Sequence, residues 1–410
     1  MKTKSVVLFI LFMMAFCMLI AIVPTQQNTP GSIDKFIEGW NKKAQHIAAE
    51  GLAPEFYFQD YSPEISSMIL GKVFPNIQYK FRAYLVTNSI KDGSETKYSV
   101  ILVTDMGADE VYFWTNGNGK ITHTSLFDFK AQQAKTNLNL LRNKYSDIAI
   151  TVHKGIILLD GEIDGIKGSF ILDNGSATME LNRKYFEDKL TDVIVCDPES
   201  EVKVGLMRAK KFVWGAGTYL SMNLTTGDFS TWETELGMPI LGSIGLNELS
   251  AFETKIDYNQ SRIELFLLND KGEYMEPERC SKPVVQCKFS MGAMLPVVKA
   301  KIGGKSMKVA IDLGLQANLV DVKHLPKLQK VISQSSEQAT PGIDNRVVPM
   351  QTGVLSKNTI GKHDGGEMRF AFCDLSELKS KPKVDGVLGY AYLSKAPFSI
   401  NYRKMTIAFY

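Results

Sequence analysis

Two aspartates in matching local sequences are the residues of this chain best suited to act together chemically. Asp173 lies in the segment Ile163–Gly175, and Asp312 lies in a counterpart, Ile302–Gly314, that begins 139 residues later and aligns without a gap. In both segments an apolar stretch leads into Asp-x-Gly. Two carboxyl groups held close together cannot both ionise, so one stays protonated while the other can act as a base. Such a pair predicts hydrolysis by an activated water, with no metal ion and no covalent intermediate.

Glycine and polar residues beside Asp173 favour a carboxyl group that is held in place. Gly175 and Gly314 each follow their aspartate by two positions and let the chain turn tightly with the carboxylate at the tip. Asn174 stands between Asp173 and Gly175, and its amide can both donate and accept hydrogen bonds. Ser176 adds a second polar side chain to the first copy.

The second copy lacks these polar residues, since Leu313 and Leu315 stand at the positions of Asn174 and Ser176. A leucine side chain cannot form hydrogen bonds. Two interpretations of the aspartates therefore stay open. They are a working catalytic pair, or they are turn residues kept for structural reasons.

Two further landmarks follow each aspartate in the same order. A sequence ending in Leu-Gly comes first, as Pro239–Gly242 in one copy and Gly386–Gly389 in the other. A strand-like segment with Ile-Asp-Tyr or Ile-Asn-Tyr comes next, within Phe252–Tyr258 and Phe398–Tyr402. Asp-x-Gly alone carries little information, because turns use Asp and Gly for backbone reasons. The ordered set, found twice in one chain, indicates a duplicated lobe.

This ordered set resembles the retropepsin-like (pepsin-like) aspartic protease family, in particular bacterial members with Asp-Thr-Gly and a late Ile-Leu-Gly. The resemblance covers residues 150–270 and 285–410. It implies two β-barrel lobes in one chain that replace the homodimer of the retroviral enzymes, each lobe supplying one aspartate. It also implies supporting roles for Gly242 and Gly389, and an endopeptidase that hydrolyses extended peptides between the lobes. The family has Thr or Ser, bonded across to the other lobe, where this chain has Asn174 and Leu313.

The same resemblance implies a flap, a hairpin that closes over the bound peptide. In the first lobe, Gly215 and Gly217 are flanked by Trp214 and Tyr219, and such a Gly-x-Gly hairpin can bend and cover a substrate. The alternative is an ordinary hairpin turn whose aromatic residues belong to the core. In the second lobe a flap is expected near Pro341-Gly342-Ile343.

The remainder of the chain divides by sequence pattern. Residues 31–145 combine helical spacing over 33–48 with alternating strands, which predicts a small α+β domain that resembles the NTF2-like domains in outline. Residues 126–145 are expected to be helical. From residue 146 onward, short apolar runs between turn signals predict two β lobes, at 146–275 and 276–410. The predicted fold class is mainly β, with two tandem pepsin/retropepsin-like β-barrel lobes preceded by the small α+β domain.

The first thirty residues predict export. Lys2 and Lys4 precede an uninterrupted apolar run from Val6 to Val23, which is typical of a secretory signal and is also long enough to span a membrane. Residues 1–30 are therefore interpreted as a signal peptide or an N-terminal membrane anchor. Either one locates the rest of the chain at the periplasmic or extracellular face, secreted or attached through residues 6–23.

Composition and the remaining motifs argue against several other classes. The 47 basic residues balance 44 acidic ones, so there is no electrostatic basis for binding nucleic acid. The five histidines lack metal-ligand spacing, and Gly242–Gly245 lacks the spacing of a serine-hydrolase elbow. We therefore expect no cofactor and no metal, a peptide or protein partner, and a monomer whose lobes form a pseudo-dimer. Cys280 and Cys287 are close enough in sequence to suggest a local disulfide, with isolated thiols as the alternative.

Two functions compete with catalysis. A binding module would hold an extended peptide in the same cleft by strand addition without cutting it, and Leu313 and Leu315 favour that possibility. A structural envelope protein would use both parts for assembly alone. The surroundings of the two carboxyl groups discriminate among these functions. Contact across a shared water supports catalysis, and separation by apolar side chains supports a relic.

Overall fold

The computed structural model describes residues 30–57, 62–77, 79–104, 107–127, 140–191, 193–195, 205–215, 217–269, 271–292, 295–341, 347–375 and 384–410. These residues form two compact units. The first is built within residues 30–127, and the second from residues 140–410 together with the short stretches Phe81–Ala83 and Val103–Asp109. The apolar run 6–23, predicted to be a signal or anchor, lies outside the described residues. Within those residues no helix is long and apolar enough to cross a membrane.

The first unit combines three helices with a sheet in the order β1-β2-β3-β4. Its elements are α1 (Gly31–Lys42), α2 (Gln45–Ala49), α3 (Pro63–Val73), β1 (Ala83–Asp92), β2 (Glu95–Thr104), β3 (Gly107–Thr115) and β4 (Ile121–Thr124). The apolar face predicted for the first helix is buried at Ile33, Phe36, Ile37 and Trp40. The ring of Phe36 meets that of Phe113 on β3 edge to face, at 5.6 Å between centroids. A helix packed on a sheet is thus found where the sequence predicted it.

The first lobe of the second unit is a barrel closed by backbone pairing. The elements up to its second landmark are β5 (Leu140–Arg142), β6 (Tyr145–Ala149), β7 (Thr151–His153), β8 (Ile156–Ile163), β9 (Ile166–Leu172), β10 (Glu180–Asn182), β11 (Ile194–Val195), β12 (Gly205–Trp214), β13 (Gly217–Gly227), α4 (Ser230–Leu236) and β14 (Gly242–Ile244). Six of these strands form a ring in the order β10-β14-β9-β8-β12-β13, and β13 pairs with β10 again. The lobe ends with α5 (Leu246–Leu249), β15 (Phe252–Asp257) and β16 (Arg262–Leu267).

The second lobe repeats this plan. Its elements are β17 (Val285–Lys288), β18 (Ser290–Gly292), β19 (Leu295–Ile302), β20 (Lys305–Ile311), β21 (Leu319–Asp321), α6 (Leu325–Leu328), β22 (Ser333–Pro341), β23 (Val347–Leu355), β24 (Thr359–Ile360), β25 (His363–Asp364), β26 (Met368–Cys373), β27 (Gly386–Leu388), α7 (Tyr390–Leu393), β28 (Phe398–Asn401) and β29 (Thr406–Phe409). Its sheet contains the order β23-β26-β21-β27-β20-β19, which matches β12-β13-β10-β14-β9-β8 of the first lobe.

Short turns in both lobes have the backbone that their sequences require. Asp164 and Gly165 connect β8 to β9 with φ of 47° and 86°, and Gly303 and Gly304 connect β19 to β20 with φ of 57° and 75°. Two consecutive left-handed residues make the tight turn that matches the twist of a two-stranded hairpin, and glycine adopts this conformation without strain. The hairpins therefore deliver β9 and β20 in equivalent positions, each running toward its aspartate.

A six-stranded sheet, in the order β17-β29-β28-β15-β16-β6, joins the two lobes. At its centre β15 and β28 are antiparallel, and Lys255 lies opposite Ser399. The carboxylate of Glu253, 3% exposed on β15, accepts hydrogen bonds from Ser399 Oγ at 2.5 Å and from Asn401 Nδ2 at 2.9 Å. One apolar cluster runs through both lobes and this sheet. The fold is mainly β with barrel-like lobes, as predicted.

Two local expectations are corrected. The helix predicted over residues 126–145 is wrong at its end, since Leu140–Arg142 and Tyr145–Ala149 are strands, and residues 128–139 lie outside the described part. The disulfide suggested for Cys280 and Cys287 is not formed, because both are free thiols. Burial is the main cause that raises the pKa of the Cys280 thiol, to about 11.

Candidate active site

The two aspartates stand at equivalent points of the two lobes. Asp173 follows β9, and its backbone N–H donates to the carbonyl of Ile244 on β14 at 3.0 Å. Asp312 follows β20, and its N–H donates to the carbonyl of Leu388 on β27 at 3.1 Å. In each lobe the strand before the aspartate pairs in parallel with the strand that holds it. Strands buried in this way fix the backbone from which each carboxyl group projects.

The loop glycines orient the carboxyl groups identically. Gly175 N–H donates to Asp173 Oδ1 at 2.8 Å, and Gly314 N–H donates to Asp312 Oδ1 at 2.8 Å. A Cβ atom added to Gly314 would lie 3.1 Å from Asp173 Oδ1 and 3.4 Å from Asp312 Oδ1. The two oxygens are therefore no further apart than the sum of these distances. Both carboxyl groups therefore lie beside Gly314.

This proximity affects the ionisation of the pair. Burial is the main cause that raises the pKa of Asp312 to about 7, and the negative charge of Asp173 is the second. The hydrogen bond from the N–H of Gly314 acts in the opposite direction and lowers this pKa. Burial also raises the pKa of Asp173, while the N–H groups of Gly175 and Ser176 favour its charged form. Each aspartate as a whole residue is half-buried. From acid to neutral pH the pair can thus hold one proton between two carboxyl groups.

Asn174 locks the two loops together. It is fully buried, and its Oδ1 accepts a hydrogen bond from the backbone N–H of Leu313 at 2.8 Å. Its Nδ2 donates to the carbonyl of Ile311 at 3.1 Å and to the hydroxyl of Tyr402 at 3.2 Å. One amide from the first lobe therefore binds the backbone on both sides of Asp312. The sequence resembles a family that has a hydroxyl residue at this position. Asparagine can form an equivalent bond to the other lobe, because its side chain is longer and can donate and accept.

The remaining residues of the two loops are less symmetric in their side chains than in their backbones. Ser176 Oγ donates to the carbonyl of Thr178 at 3.0 Å, and the Leu315 side chain is buried in an apolar cluster. The carbonyl groups nevertheless have matching partners. Leu246 N–H donates to Ser176 O at 2.8 Å, and Tyr390 N–H donates to Leu315 O at 2.8 Å.

The glycine landmarks match differently from the way the sequence suggested. Backbone pairing makes Gly242 equivalent to Gly386, and Gly245 equivalent to Gly389, so the earlier match of Gly242 with Gly389 is displaced by three residues. A Cβ atom at Gly245 would lie 2.5 Å from the carbonyl oxygen of Thr178, and one at Gly389 would lie 2.1 Å from that of Leu315. Gly242 is also constrained, since a Cβ atom there would lie 2.2 Å from the carbonyl oxygen of Glu180.

The predicted flap of the first lobe is packed against the protein. Trp214 and Tyr219 are 4% and 8% exposed and belong to the core. The carbonyl of Gly215 accepts hydrogen bonds from Asn143 Nδ2 at 2.9 Å and Ser146 Oγ at 2.6 Å. A Cβ atom on Gly215 would lie 2.4 Å from Ile148 of β6. Trp214 and Tyr219 are thus core residues, which favours the alternative interpretation of this segment as an ordinary hairpin.

The strand order relates one pair of strands in each lobe. The β12–β13 pair corresponds to β23–β26, because β13 and β26 pair in parallel with β10 and β21. The predicted flap at Pro341-Gly342-Ile343 falls at the end of β22, and residues 342–346 lie outside the described residues.

Sequence reasoning missed one residue of the site, Tyr402. Tyr402 ends the Ile-Asn-Tyr landmark of the second lobe. Nothing in the sequence indicates that its hydroxyl contacts Asn174. Within the described ranges, no three or more His, Cys, Asp or Glu side chains are grouped so that they could hold a metal ion.

Comparisons with known proteins add little to this geometry. No family model and no curated protein sequence matches the chain. Among solved structures, the chain is similar to basic 7S globulin from soybean, with a TM-score of 0.39, 11% identity, and coverage of 66% of this chain and 95% of that one. At this score the likeness does not bear on function, and a functional assignment rests on the two lobes and on the site they share.

Proposed function

We propose that this chain is an aspartic-type endopeptidase that hydrolyses extended peptides with a water molecule activated by Asp173 and Asp312. The observation that carries the proposal is the meeting of both carboxyl groups at Gly314, each held by the glycine N–H of its own loop. The repeated retropepsin-like landmarks and the matching backbone hydrogen bonds of the two loops support it.

The ionisation of the pair suggests a role for each aspartate. Asp173, whose charged form is favoured by two backbone N–H groups, is the base. Asp312, whose pKa is raised to about 7, is the acid. As the water oxygen bonds to the peptide carbonyl carbon, its proton passes to Asp173, and Asp312 gives its proton to the carbonyl oxygen. The C–N bond then breaks as Asp173 protonates the leaving nitrogen, and the intermediate returns a proton to Asp312. One water is added across the peptide bond, and both carboxyl groups return to their starting states.

The sequence at the N-terminus suggests where the substrates are found. The run from Val6 to Val23 favours export, as a signal or as an anchor. The proposed substrates are therefore extended segments of peptides or proteins at the periplasmic or extracellular face.

A peptide-binding module is the second candidate, and two observations favour it. Leu313 contributes no polar side-chain atom to the lock, and the hydroxyl of Ser176 turns to the carbonyl of Thr178. Loops that lack these polar contacts can still form the walls of a cleft that pairs with an extended peptide strand. This candidate shares the fold and the cleft with the first and differs only in the chemistry of the carboxyl pair.

Hydrolysis of a mixed peptide library separates the two candidates. The full chain, held in mild detergent, is assayed from acid to neutral pH with and without a statine-type transition-state inhibitor. Asp312→Asn is compared with Asp160→Asn, which changes an exposed aspartate of β8. The endopeptidase predicts inhibitor-sensitive cleavage that is lost in Asp312→Asn and kept in Asp160→Asn. Folded protein that cleaves no peptide at any pH, or cleavage that survives in Asp312→Asn, would overturn the proposal.

A further inference from the structure

The backbone relates Tyr402 to a second buried tyrosine, Tyr258. Each follows the last residue of its strand, β15 or β28, and these strands pair about a centre at Lys255 and Ser399. On either side of that centre, Thr254 lies opposite Ile400 and Ile256 lies opposite Phe398. The pairing is symmetric about this centre, so Tyr258 and Tyr402 occupy equivalent positions in the two lobes.

The two hydroxyl groups differ in their hydrogen bonds. Tyr402, 7% exposed, accepts from Asn174 Nδ2 at 3.2 Å. Tyr258, 8% exposed, has a buried hydroxyl with no hydrogen-bond partner among the residues that the structure describes. The charge of Asp312 contributes to a raised pKa of both tyrosines, behind the effect of burial, so both hydroxyl groups lie in the electrostatic range of the site.

The difference follows from the residue between each aspartate and its glycine. Asn174 offers two amide hydrogens, and both are used, one by the carbonyl of Ile311 and one by Tyr402. The equivalent residue of the second lobe is Leu313, which has no polar side-chain atom for Tyr258. The lock between the loops is therefore one-sided, with its second half missing one polar residue.

The backbone groups of Ile311 and Leu313 fix the orientation of the Asn174 amide, and the hydroxyl of Tyr402 adds to its hold. If the amide were rotated by half a turn, Oδ1 would face the carbonyl oxygen of Ile311, and Nδ2 would face the N–H of Leu313, which is unfavourable at both contacts. Binding by Tyr402 adds a third contact that is made directly by Nδ2. The orientation in turn determines how firmly the backbone around Asp312 is held against Asp173.

We propose that Tyr402 is a positioning residue that acts through Asn174 to hold the Asp173 and Asp312 carboxyl groups together, and that Tyr258 is its unpartnered counterpart, with Leu313 at the position equivalent to Asn174. The positioning role rests on the proposed peptidase function for its effect on rate. Its effect on the carboxyl pair does not depend on catalysis and can be measured without a substrate.

Matched variants of the full chain test the positioning role. Tyr402→Phe and Tyr258→Phe each remove one hydroxyl from equivalent surroundings. Aspartate side chains labelled with ¹³C report the titration of the pair by NMR, and peptide hydrolysis reports kcat and KM. In Tyr402→Phe we expect the titration of Asp312 to move to lower pH, and kcat to fall about tenfold with KM changed less than about twofold. Tyr258→Phe is expected to leave both unchanged.

The outcomes separate the two proposals. If the wild-type chain hydrolyses no peptide, the proposed function fails, while a selective shift of the Asp312 titration in Tyr402→Phe still supports the positioning role. Equal shifts in the two variants, or no shift in Tyr402→Phe, would overturn it.

A separate experiment tests whether residue 313 and Tyr258 are close enough to interact. Leu313→Asn places an amide where Tyr258 has a free hydroxyl, and thermal unfolding is measured with and without Tyr258→Phe. A pair that interacts predicts that Tyr258→Phe lowers the unfolding temperature of the Leu313→Asn protein but does not lower that of the wild type. The same change in both backgrounds would show that residue 313 and Tyr258 do not meet.

Discussion

Asn174 and Leu313 occupy equivalent positions in the two lobes and meet directly, since the backbone N–H of Leu313 donates to Asn174 Oδ1 at 2.8 Å. In a symmetric site, the side chain at this position would form hydrogen bonds to the opposite loop in both lobes. Here only Asn174 of the first lobe does so. Asn174 supplies the hydrogen bonds, and Leu313 supplies a backbone N–H and a side chain packed in the core. The loss of polarity in the second lobe therefore does not by itself separate the two aspartates.

Removing the Asn174 amide is expected to weaken both stability and activity. Asn174→Ala leaves the N–H of Leu313 and the carbonyl of Ile311 buried without their partner. Each such group costs about 1–3 kcal/mol, so the free energy of unfolding should fall by about 2–6 kcal/mol. Urea unfolding measures this, with exposed Asn259→Ala as the control, expected to change it by less than about 0.5 kcal/mol. A loss in Asn174→Ala no larger than in the control would show that the lock contributes nothing.

A methyl group at Gly314 is expected to slow hydrolysis without unfolding the chain. The added Cβ would lie 3.1 Å from Asp173 Oδ1, which is tighter than an ordinary contact, and 3.4 Å from Asp312 Oδ1. The carboxyl group of Asp173 would therefore have to shift slightly. Since misplacement of about 1 Å costs about a hundredfold in rate, this smaller shift should lower kcat in Gly314→Ala by about three- to tenfold.

Gly117→Ala is the control for this change, because a Cβ atom there meets nothing within 4 Å. Circular dichroism and thermal unfolding confirm that both variants fold, and hydrolysis of a reporter peptide gives the rates. A Gly314→Ala protein with wild-type kcat would mean that the two carboxyl groups do not act on one water.

The parts of this site that could be predicted from sequence are those fixed by local backbone chemistry. An apolar strand that runs into Asp-x-Gly needs the same turn in both lobes, so the equivalent backbone positions of Asp173 and Asp312 could be predicted from the sequence. The match of Gly242 with Gly389 failed, because spacing along the chain does not reveal which strand pairs with which. The hydrogen bond between Asn174 and Tyr402 joins residues 228 positions apart. Such a contact depends on the packing of the two lobes and on no local pattern.

The same distinction explains the flap and the connecting helix. β12 and β13 do pair as a hairpin, as their sequence predicts, but Gly215 packs on Ile148 of β6. Propensity over residues 126–145 favoured a helix, whereas Leu140–Arg142 and Tyr145–Ala149 pair with β13 and β16. Tertiary pairing outweighed local preference there, as it commonly does for short strands.

The contribution of two buried carboxyl groups to the stability of the fold should decline as pH rises from about 4 to about 7. The pKa of Asp312 is raised to about 7, so the folded state binds its proton more tightly than the unfolded state does. Glu248, buried at the start of α5, has a pKa raised by burial to about 7 and adds to the same trend. In that range these groups hold more protons in the folded state, and their contribution to stability therefore falls with increasing pH. Burial lowers the pKa of His123 and His363, which has the opposite effect below about pH 6.5, and the lowered pKa of Asp385 has it only below about pH 4.

Thermal unfolding of the wild type, Asp312→Asn and Asp160→Asn at several pH values measures this trend. Asp312→Asn removes one of the groups responsible, so its unfolding temperature should fall less steeply between pH 4 and 7. Asp160→Asn should follow the wild type, because that aspartate is exposed. Parallel curves for all three proteins would contradict a raised pKa at Asp312.

Glu253 is expected to be important for holding the lobes together. Its buried carboxylate on β15 accepts from Ser399 and Asn401 on β28, the strand contributed by the other lobe. Glu253→Ala would leave both donors buried without this acceptor, and breaking such a charge-assisted contact costs about 2–4 kcal/mol. The measurement is urea unfolding, with Glu278→Ala, an exposed glutamate, as the control.

Glu253→Gln tests whether charge or only hydrogen bonding is needed, because it keeps one acceptor oxygen and replaces the other with a donor. We expect it to be less destabilising than Glu253→Ala, since one of the two contacts survives. Because the β15–β28 pair also ends at Tyr258 and Tyr402, loosening it should lower kcat along with stability. If Glu253→Ala unfolds at the same urea concentration as Glu278→Ala, the central sheet holds the lobes by apolar packing alone.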